Sequence, residues 1–262
     1  MCSNNNITVT LLGTGTSGGV PSLGCQCEVC SSKDPRDHRL RCVALVESAA
    51  GTRVLIDCGP DIRQQLMPLP FKPFDAILMT HIHYDHVGGI DDLRPFSVFG
   101  PINLYGDEKT CDHVRQIMPY CFGEHLYPGV PHLELHTIRP HEPLRIGDLE
   151  IIPIEVMHGK MPILGFRIGK FAYITDMKTI GDAELPYLDG VETLVVNALR
   201  FDKEHHSHQL VADAAEFAHK IGAKQTYITH VCHHIGLYDE AEKRMPEGLS
   251  LAYDGLKLTV ER

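Results

Sequence analysis

The chain has 262 residues, 43% of them hydrophobic, enough to close a substantial core, and no collagenous, coiled-coil or low-complexity bias. Its formal net charge of -10 is spread along the chain rather than gathered in a tail, so nonspecific attraction to nucleic-acid phosphates or anionic lipid is weak and nucleic acid is disfavoured as a partner. The start, MCSNNNITVT, has no basic stretch followed by an apolar one, and no later apolar run approaches the ~20 residues a bilayer needs, which points to a cytoplasmic chain with no membrane partner.

Runs of β-branched and apolar residues between Gly, Pro and Asp predict strands at 7–13, 43–48, 53–59, 74–81, 149–158, 166–176, 193–200, 225–230 and 256–261. Helices are expected at 61–67, 87–96, 107–118 and 210–222. The last of these places Leu210, Ala214, Phe217, Ala218 and Ile221 on one face, with Gly222 as its stop. Strands with helices between and outside them indicate a layered α/β fold, read as a single domain over 1–262.

The first strand runs into GTGTSGGVPSLGCQCEVC, which carries two signatures at once. Gly13, Gly15 and Gly18 fit G-x-G-x-x-G, but a dinucleotide site needs a helix opening directly from the glycines. Pro21 and the Cys25 cluster stand where that helix would be, so the glycines read as a tight turn. Nine cysteines, an odd number, in a reducing compartment argue against a disulfide framework, and metal binding becomes the leading use of a close cluster. Cys25, Cys27 and Cys30 supply three thiolates, and a tetrahedral zinc site needs a fourth ligand. Cys2, Cys42, Cys58, Cys111, Cys121 and Cys232 have no such pattern and read as ordinary small residues.

The strongest signal is MTHIHYDHVGG, residues 79–89. His81, His83, Asp85 and His86 follow an apolar strand and precede an expected helix. On an extended segment His81 and His83 point the same way, and the turn after them lets Asp85 and His86 face back, which makes two adjacent metal sites from one loop. Further candidate ligands end later strands: His158, Asp176 and His230.

The H-x-H-x-D-H stretch with these three strand-end residues resembles the metallo-β-lactamase superfamily. That resemblance implies an αββα sandwich with a dinuclear site at one edge of the sheets. It implies that His81, His83 and His158 hold one metal, that Asp85, His86 and His230 hold the other, and that Asp176 bridges both. The glycine and cysteine stretch, VLIDCGPDIR, HGKMPILGFRIG and HVCHH are similar to the PhnP branch of that superfamily, phosphodiesterases that open cyclic ribosyl phosphates. The branch implies His233 as the fourth ligand of a structural zinc and places a substrate-contacting histidine at His208. Residues 119–145 carry no motif that aligns, which leaves the substrate open.

The expected activity is hydrolysis of a small phosphodiester by a hydroxide made on two divalent ions, with Asp85 and His208 among the catalytic residues and His208 as general acid. Histidine and carboxylate ligands suit zinc, manganese or iron alike. A glyoxalase II-like thioesterase would share all seven ligands, and a tRNA 3′-end endonuclease has the same core but is expected to carry a basic arm that this sequence lacks. A redox role of the flavodiiron type is disfavoured, because a glutamate stands there in the place of His83. The oligomeric state is open, with a homodimer one form compatible with the sequence. His113, His125, His132, His136, His141, His205, His206 and His234 read as surface or packing residues.

Overall fold

The computed structural model describes residues 6–123 and 129–262; Cys2 and His125 lie outside them. The chain begins with β1 (Asn6–Gly13), β2 (Val43–Ser48), β3 (Arg53–Ile56), α1 (Ile62–Leu66), β4 (Ala76–Leu78), α2 (Tyr84–Val87), β5 (Ile102–Gly106), α3 (Glu108–Ile117) and β6 (Leu133–Thr137). It continues with β7 (Leu144–Ile146), β8 (Leu149–His158), β9 (Met161–Ile168), β10 (Phe171–Ile174), β11 (Thr193–Asn197), α4 (Val211–Ile221), β12 (Gln225–Thr229), α5 (Tyr238–Lys243), β13 (Leu249–Leu251) and β14 (Leu256–Glu261).

These strands form two seven-stranded sheets, ordered β14-β1-β2-β3-β4-β5-β6 and β13-β12-β11-β10-β9-β8-β7. In the first, β1 pairs antiparallel with β14 and β2, and β3 to β6 run parallel. In the second, β7 to β10 are antiparallel and β10 to β13 parallel. The central strands RVLI, AIL and FAYI are buried at every residue, as strands covered on both faces must be.

Three apolar cores glue four layers together. One lies between the sheets, around Ile7, Val54, Phe166 and Tyr173. A second packs the first sheet under its helices, around Leu55, Ile77, Ile90 and Val114. The third packs the second sheet under α4 and α5, around Val196, Ala214, Phe217 and Ala241. This is the αββα sandwich. No helix among the described residues is long and apolar enough to cross a membrane.

Three expectations are corrected. The helix expected over 87–96 is instead the end of α2 and a run of 3-10 turns, Ile90–Phe99; Pro95 lies inside it and has no N–H to continue an α-helix. The single strand expected over 166–176 is the hairpin of β9 and β10, which turns at Gly169 with φ 57°. Strands β5, β6, β7 and β13 and helix α5 fall outside every expected element.

Candidate metal centre

Strands β4, β8, β10 and β12 deliver the candidate ligands to one edge of the sandwich. Beyond β4 the chain runs without regular structure to His83, the N-cap of α2, and His81 Nε2 comes within 3.0 Å of His83 Nδ1. Asp85 and His86 follow inside α2. That helix approaches β3 closely because Gly59 and Gly89 have no side chains: a Cβ on Gly59 would collide with the Asp85 carbonyl, and one on Gly89 with the Gly59 carbonyl.

His158 closes β8, and Asp176 and His230 stand just past β10 and β12. Asp57, Asp176 and His230 have φ of 66°, 55° and 56°, three of the five non-glycine residues with positive φ among those described. Left-handed backbone at a strand end is strained, and here it turns three polar side chains inward. The turn after Asp176 is clamped by buried Asn197, which accepts from Met177 N at 2.7 Å and donates to Met177 O at 3.0 Å.

The ligand atoms of His81, His83 and His158 lie within 4.8 Å of one another, as do those of Asp85, His86, Asp176 and His230. Asp176 reaches toward both sets: its Oδ2 is 2.6 Å from His86 Nε2 and 4.0 Å from His81 Nε2, and its Oδ1 is 2.9 Å from His230 Nε2. His208 joins His158 and Asp176 in a third grouping, with Nδ1 3.2 Å from Asp176 Oδ1.

The outer nitrogens of three rings are already committed. Thr80 Oγ1 donates to the Asp57 carboxylate at 3.0 Å, so at 2.9 Å it accepts from His81 Nδ1. Asp57 Oδ2 accepts from His86 Nδ1 at 2.7 Å, and the Ser207 carbonyl accepts from His158 Nδ1 at 3.0 Å. Each ring therefore leaves its Nε2 facing inward, that of His86 toward Asp85 and Asp176 and that of His81 toward Asp176 alone. His86 Nε2, Asp176 Oδ1, His208 Nδ1 and both ring nitrogens of His230 are buried with no hydrogen-bond partner among the described residues. Ring nitrogens and carboxylates that converge this closely favour positive charge between them, a proton in the free site or a cation in its place, and this donor set fits divalent metal ions.

The field at the site follows from burial and these contacts. Burial opposes the charged forms of Asp176 and Asp85, yet His230 and His86 hold both carboxyls below their ordinary value. Burial also opposes charge on His86 and His230, but Asp57 and Asp176 hold His86 well up, and Asp176 with Asp85 lifts His230 to about 9. His208 differs: burial, then the neighbouring His230, pushes it down to about 3.

The cysteine stretch forms a separate cluster. His233 Nδ1 lies 3.2, 3.5 and 3.1 Å from the sulfurs of Cys25, Cys27 and Cys30. The Cys30 backbone N–H donates to Cys27 Sγ and holds that thiol below its ordinary value, whereas at Cys30 burial outweighs the N–H of Ser22 and pushes the thiol up to about 11. Four N and S donors in one knot fit a closed tetrahedral zinc site. The glycine turn carries this loop past the centre, where Thr16 N donates to Val231 O, next to His230.

All the candidate ligands named from the sequence are thus brought together, in two clusters. Sequence reasoning missed Asp57, Thr80 and Asn197, which orient ligands rather than supply them. For Asp57 a signal existed: it follows the buried run RVLI, as Asp176 follows FAYI.

Two stacked sheets with ligand-bearing loops at their shared edge define the metallo-β-lactamase fold. A family model described as the beta-lactamase superfamily domain matches residues 52–231. Over 251 residues, 96% of this chain, 41% of positions are identical to an octanoyltransferase of Porphyromonas gingivalis, 51% of which is covered. A ribonuclease Z of a Bradyrhizobium species is 32% identical over 163 residues, 60% of this chain and 48% of that one. The chain spans about half the length of these curated relatives. Among solved structures, a diphosphatase from the PhnP family superposes with a TM-score of 0.89 at 40% identity, covering 97% of each chain. The chain belongs to the β-lactamase superfamily and, within it, to the PhnP family of metallo-β-lactamase-fold hydrolases.

Proposed function

We propose that this hydrolase cleaves small phosphodiesters, diphosphate esters included, at a centre that holds two divalent ions. The observation that carries the reading is the pair of adjacent ligand sets, His81, His83 and His158 beside Asp85, His86, Asp176 and His230, with Asp176 reaching toward both and with buried ring nitrogens of His86 and His230 left without partners. The 40% identity to a diphosphatase over nearly the whole chain supports the phosphate ester as substrate.

His81, His83 and His158 would hold one ion, Asp85, His86 and His230 the other, with Asp176 between them. Two ions held there would supply Lewis-acid chemistry, lowering the pKa of water toward neutrality and offsetting charge that builds on phosphate oxygens. The remaining work falls to the protein. Asp57, Thr80 and the Ser207 carbonyl keep the imidazoles in the ligating tautomer. His208 stands beside Asp176 to protonate the leaving oxygen. Burial holds that ring well below its ordinary value in the free site, so the proton it passes to the leaving oxygen is one it takes from the attacking water or from solvent once the substrate's phosphate charge lies beside it. Cys25, Cys27, Cys30 and His233 would hold a zinc with no open position, a structural role.

A second reading, thioester hydrolysis, uses the same ligands, and the name of the Porphyromonas relative puts acyl chemistry beside this fold. The deciding experiment reloads stripped protein with zinc or manganese and assays a phosphodiester, a diphosphate ester, an octanoyl thioester and a tRNA precursor, with metal content measured. Phosphate-ester turnover with two ions per chain beyond the zinc of the cysteine cluster is expected. His208→Ala should keep the ions and lose ~10²–10⁴ in rate on alkoxide leaving groups, but much less on activated aryl ones. Thioester turnover without phosphodiester turnover, or full activity with a single ion at the centre, overturns the proposal.

A further inference from the structure

The cysteine cluster lies open to solvent on one side. Among the described cysteines Cys27 alone is exposed; Cys25 is half-buried and all the others are buried. Leu23, just ahead of them, is fully exposed, so nothing in the chain covers the approach to the Cys27 sulfur. A second sulfur stands within reach of it. Cys27 and Cys30 bracket one turn, in which Ser31 N donates to Cys27 O at 3.0 Å and Cys30 N to Cys27 Sγ at 3.5 Å, and the ligand atoms of the whole cluster lie within 4.8 Å of one another. This is a C-x-x-C pair with one open member and one covered member.

We infer that Cys27 is a site of oxidative modification, which takes hydrogen peroxide and closes a disulfide with Cys30, and that this bond releases the zinc and frees the loop; the inference rests on the zinc reading of the cluster. Held as metal-bound thiolates, both sulfurs keep an electron pair with which to attack. The Cys27 sulfur bonds to one peroxide oxygen, the O–O bond breaks, and the hydroxide that leaves takes a proton from solvent. The Cys30 sulfur then attacks the sulfur of this sulfenic acid, and a second hydroxide leaves and is protonated as the disulfide forms. Two thiolates have given two electrons, and one peroxide has become two waters.

Only Cys25 and His233 then remain as donors, half of what a tetrahedral zinc site needs, and the ion leaves. The base of the loop stays pinned without it. Gly15 pairs with both Arg41 and Val231, and Val20 pairs with Arg39, through backbone bridges that involve no sulfur. Oxidation therefore loosens the stretch around the cysteines while the sheets, and His230 beside Val231, keep their places. The other thiols are poor rivals for the oxidant, because Cys42, Cys58, Cys111 and Cys121 are enclosed in the fold.

The test treats reduced, zinc-loaded protein with hydrogen peroxide and follows disulfides by peptide mapping, released zinc with a chromogenic chelator, and the melting temperature. Cys27 should be oxidised about tenfold faster than any buried cysteine, as its exposure allows. One Cys27–Cys30 bridge should form for each zinc lost from the cluster, and the melting temperature should fall to that of Cys27→Ser. Zinc that Cys27→Ser itself releases under peroxide comes from the other centre and is subtracted. Dithiothreitol with added zinc should reverse every change, and in Cys30→Ser the oxidation should stop at a Cys27 sulfenic acid that dimedone traps. A bridge between other cysteines, a bridge that leaves the zinc in place, zinc loss with no bridge, or Cys27 still reduced when a buried thiol is oxidised would each overturn the inference. Reduced protein that takes up no zinc at the cysteines speaks against the zinc reading, and the map of oxidised cysteines then decides the Cys27–Cys30 pair by itself.

Discussion

Asp57 need never touch substrate, yet it determines how His86 faces the centre. It is fully buried and accepts from Thr80 N, Thr80 Oγ1 and His86 Nδ1 on a left-handed backbone that asparagine tolerates. Asp57→Asn should therefore fold, but with the charge behind His86 gone it should weaken metal binding at the centre by ~10–100-fold, the usual loss when a partner behind a ligating histidine is removed. Chelator competition reads this directly, and unchanged affinity would show that the carboxylate serves packing alone. Distance along the chain hides Asp57 from the sequence. His81, His83, Asp85 and His86 advertise themselves by local spacing. The contact from Asp57 to His86 spans 29 residues and exists only because β3 and β4 lie side by side.

Elements show the same division between local and distant causes. Helix α4 was legible to its stop, with Gly222 at φ 71° accepting the left-handed turn its position demands. Strand β6, LELHT, was not: Leu133 and Leu135 alternate with polar residues, but the run is short, sits at a sheet edge and buries Leu133 alone. The cysteine loop has an apolar cluster of its own that is very small: Val20, Val29 and Cys30, with Cys25 and Leu237 against it. Such a loop gains its order from cross-links rather than burial. Cys27→Ser should thus lower the zinc content by one ion per chain and lower the melting temperature, because structural zinc contributes folding energy directly. Activity per folded molecule should fall less than stability. A variant that keeps both its zinc and its melting temperature would refute the cross-link.

At the scale of the molecule, the two ends of the described chain meet in one buried polar knot. Arg39, 3% exposed, donates to Thr14 Oγ1 at 2.9 Å and to the Ala252 carbonyl. Asp254 accepts from Thr14 Oγ1 and Leu40 N, both at 2.7 Å. Burial pushes the Asp254 carboxyl up to about 6 against those hydrogen bonds. Between the ordinary carboxylate value of 3.8 and about 6, the folded chain then keeps a proton that the unfolded chain releases. Stability from this group is complete below that window and is lost as the pH rises through it, by an amount on the order of 1–3 kcal/mol. Asp254→Asn costs a hydrogen bond at every pH but should flatten the slope, so the gap in unfolding free energy between the two proteins should narrow from pH 4 to pH 6. A constant gap would place the carboxyl at its ordinary value.

The three large cores contain none of the ligands at the strand ends. On the proposed reading of the centre, closing the scaffold would not wait for metal loading. A newly made molecule can close its sandwich on hydrocarbon alone and wait, shaped but idle, for ions to enter at the edge, whereas the cysteine loop has too little apolar surface to settle before its own ion arrives. Starved of metal, such a chain would be an idle but folded protein with one untethered loop, open to later maturation rather than bound for clearance.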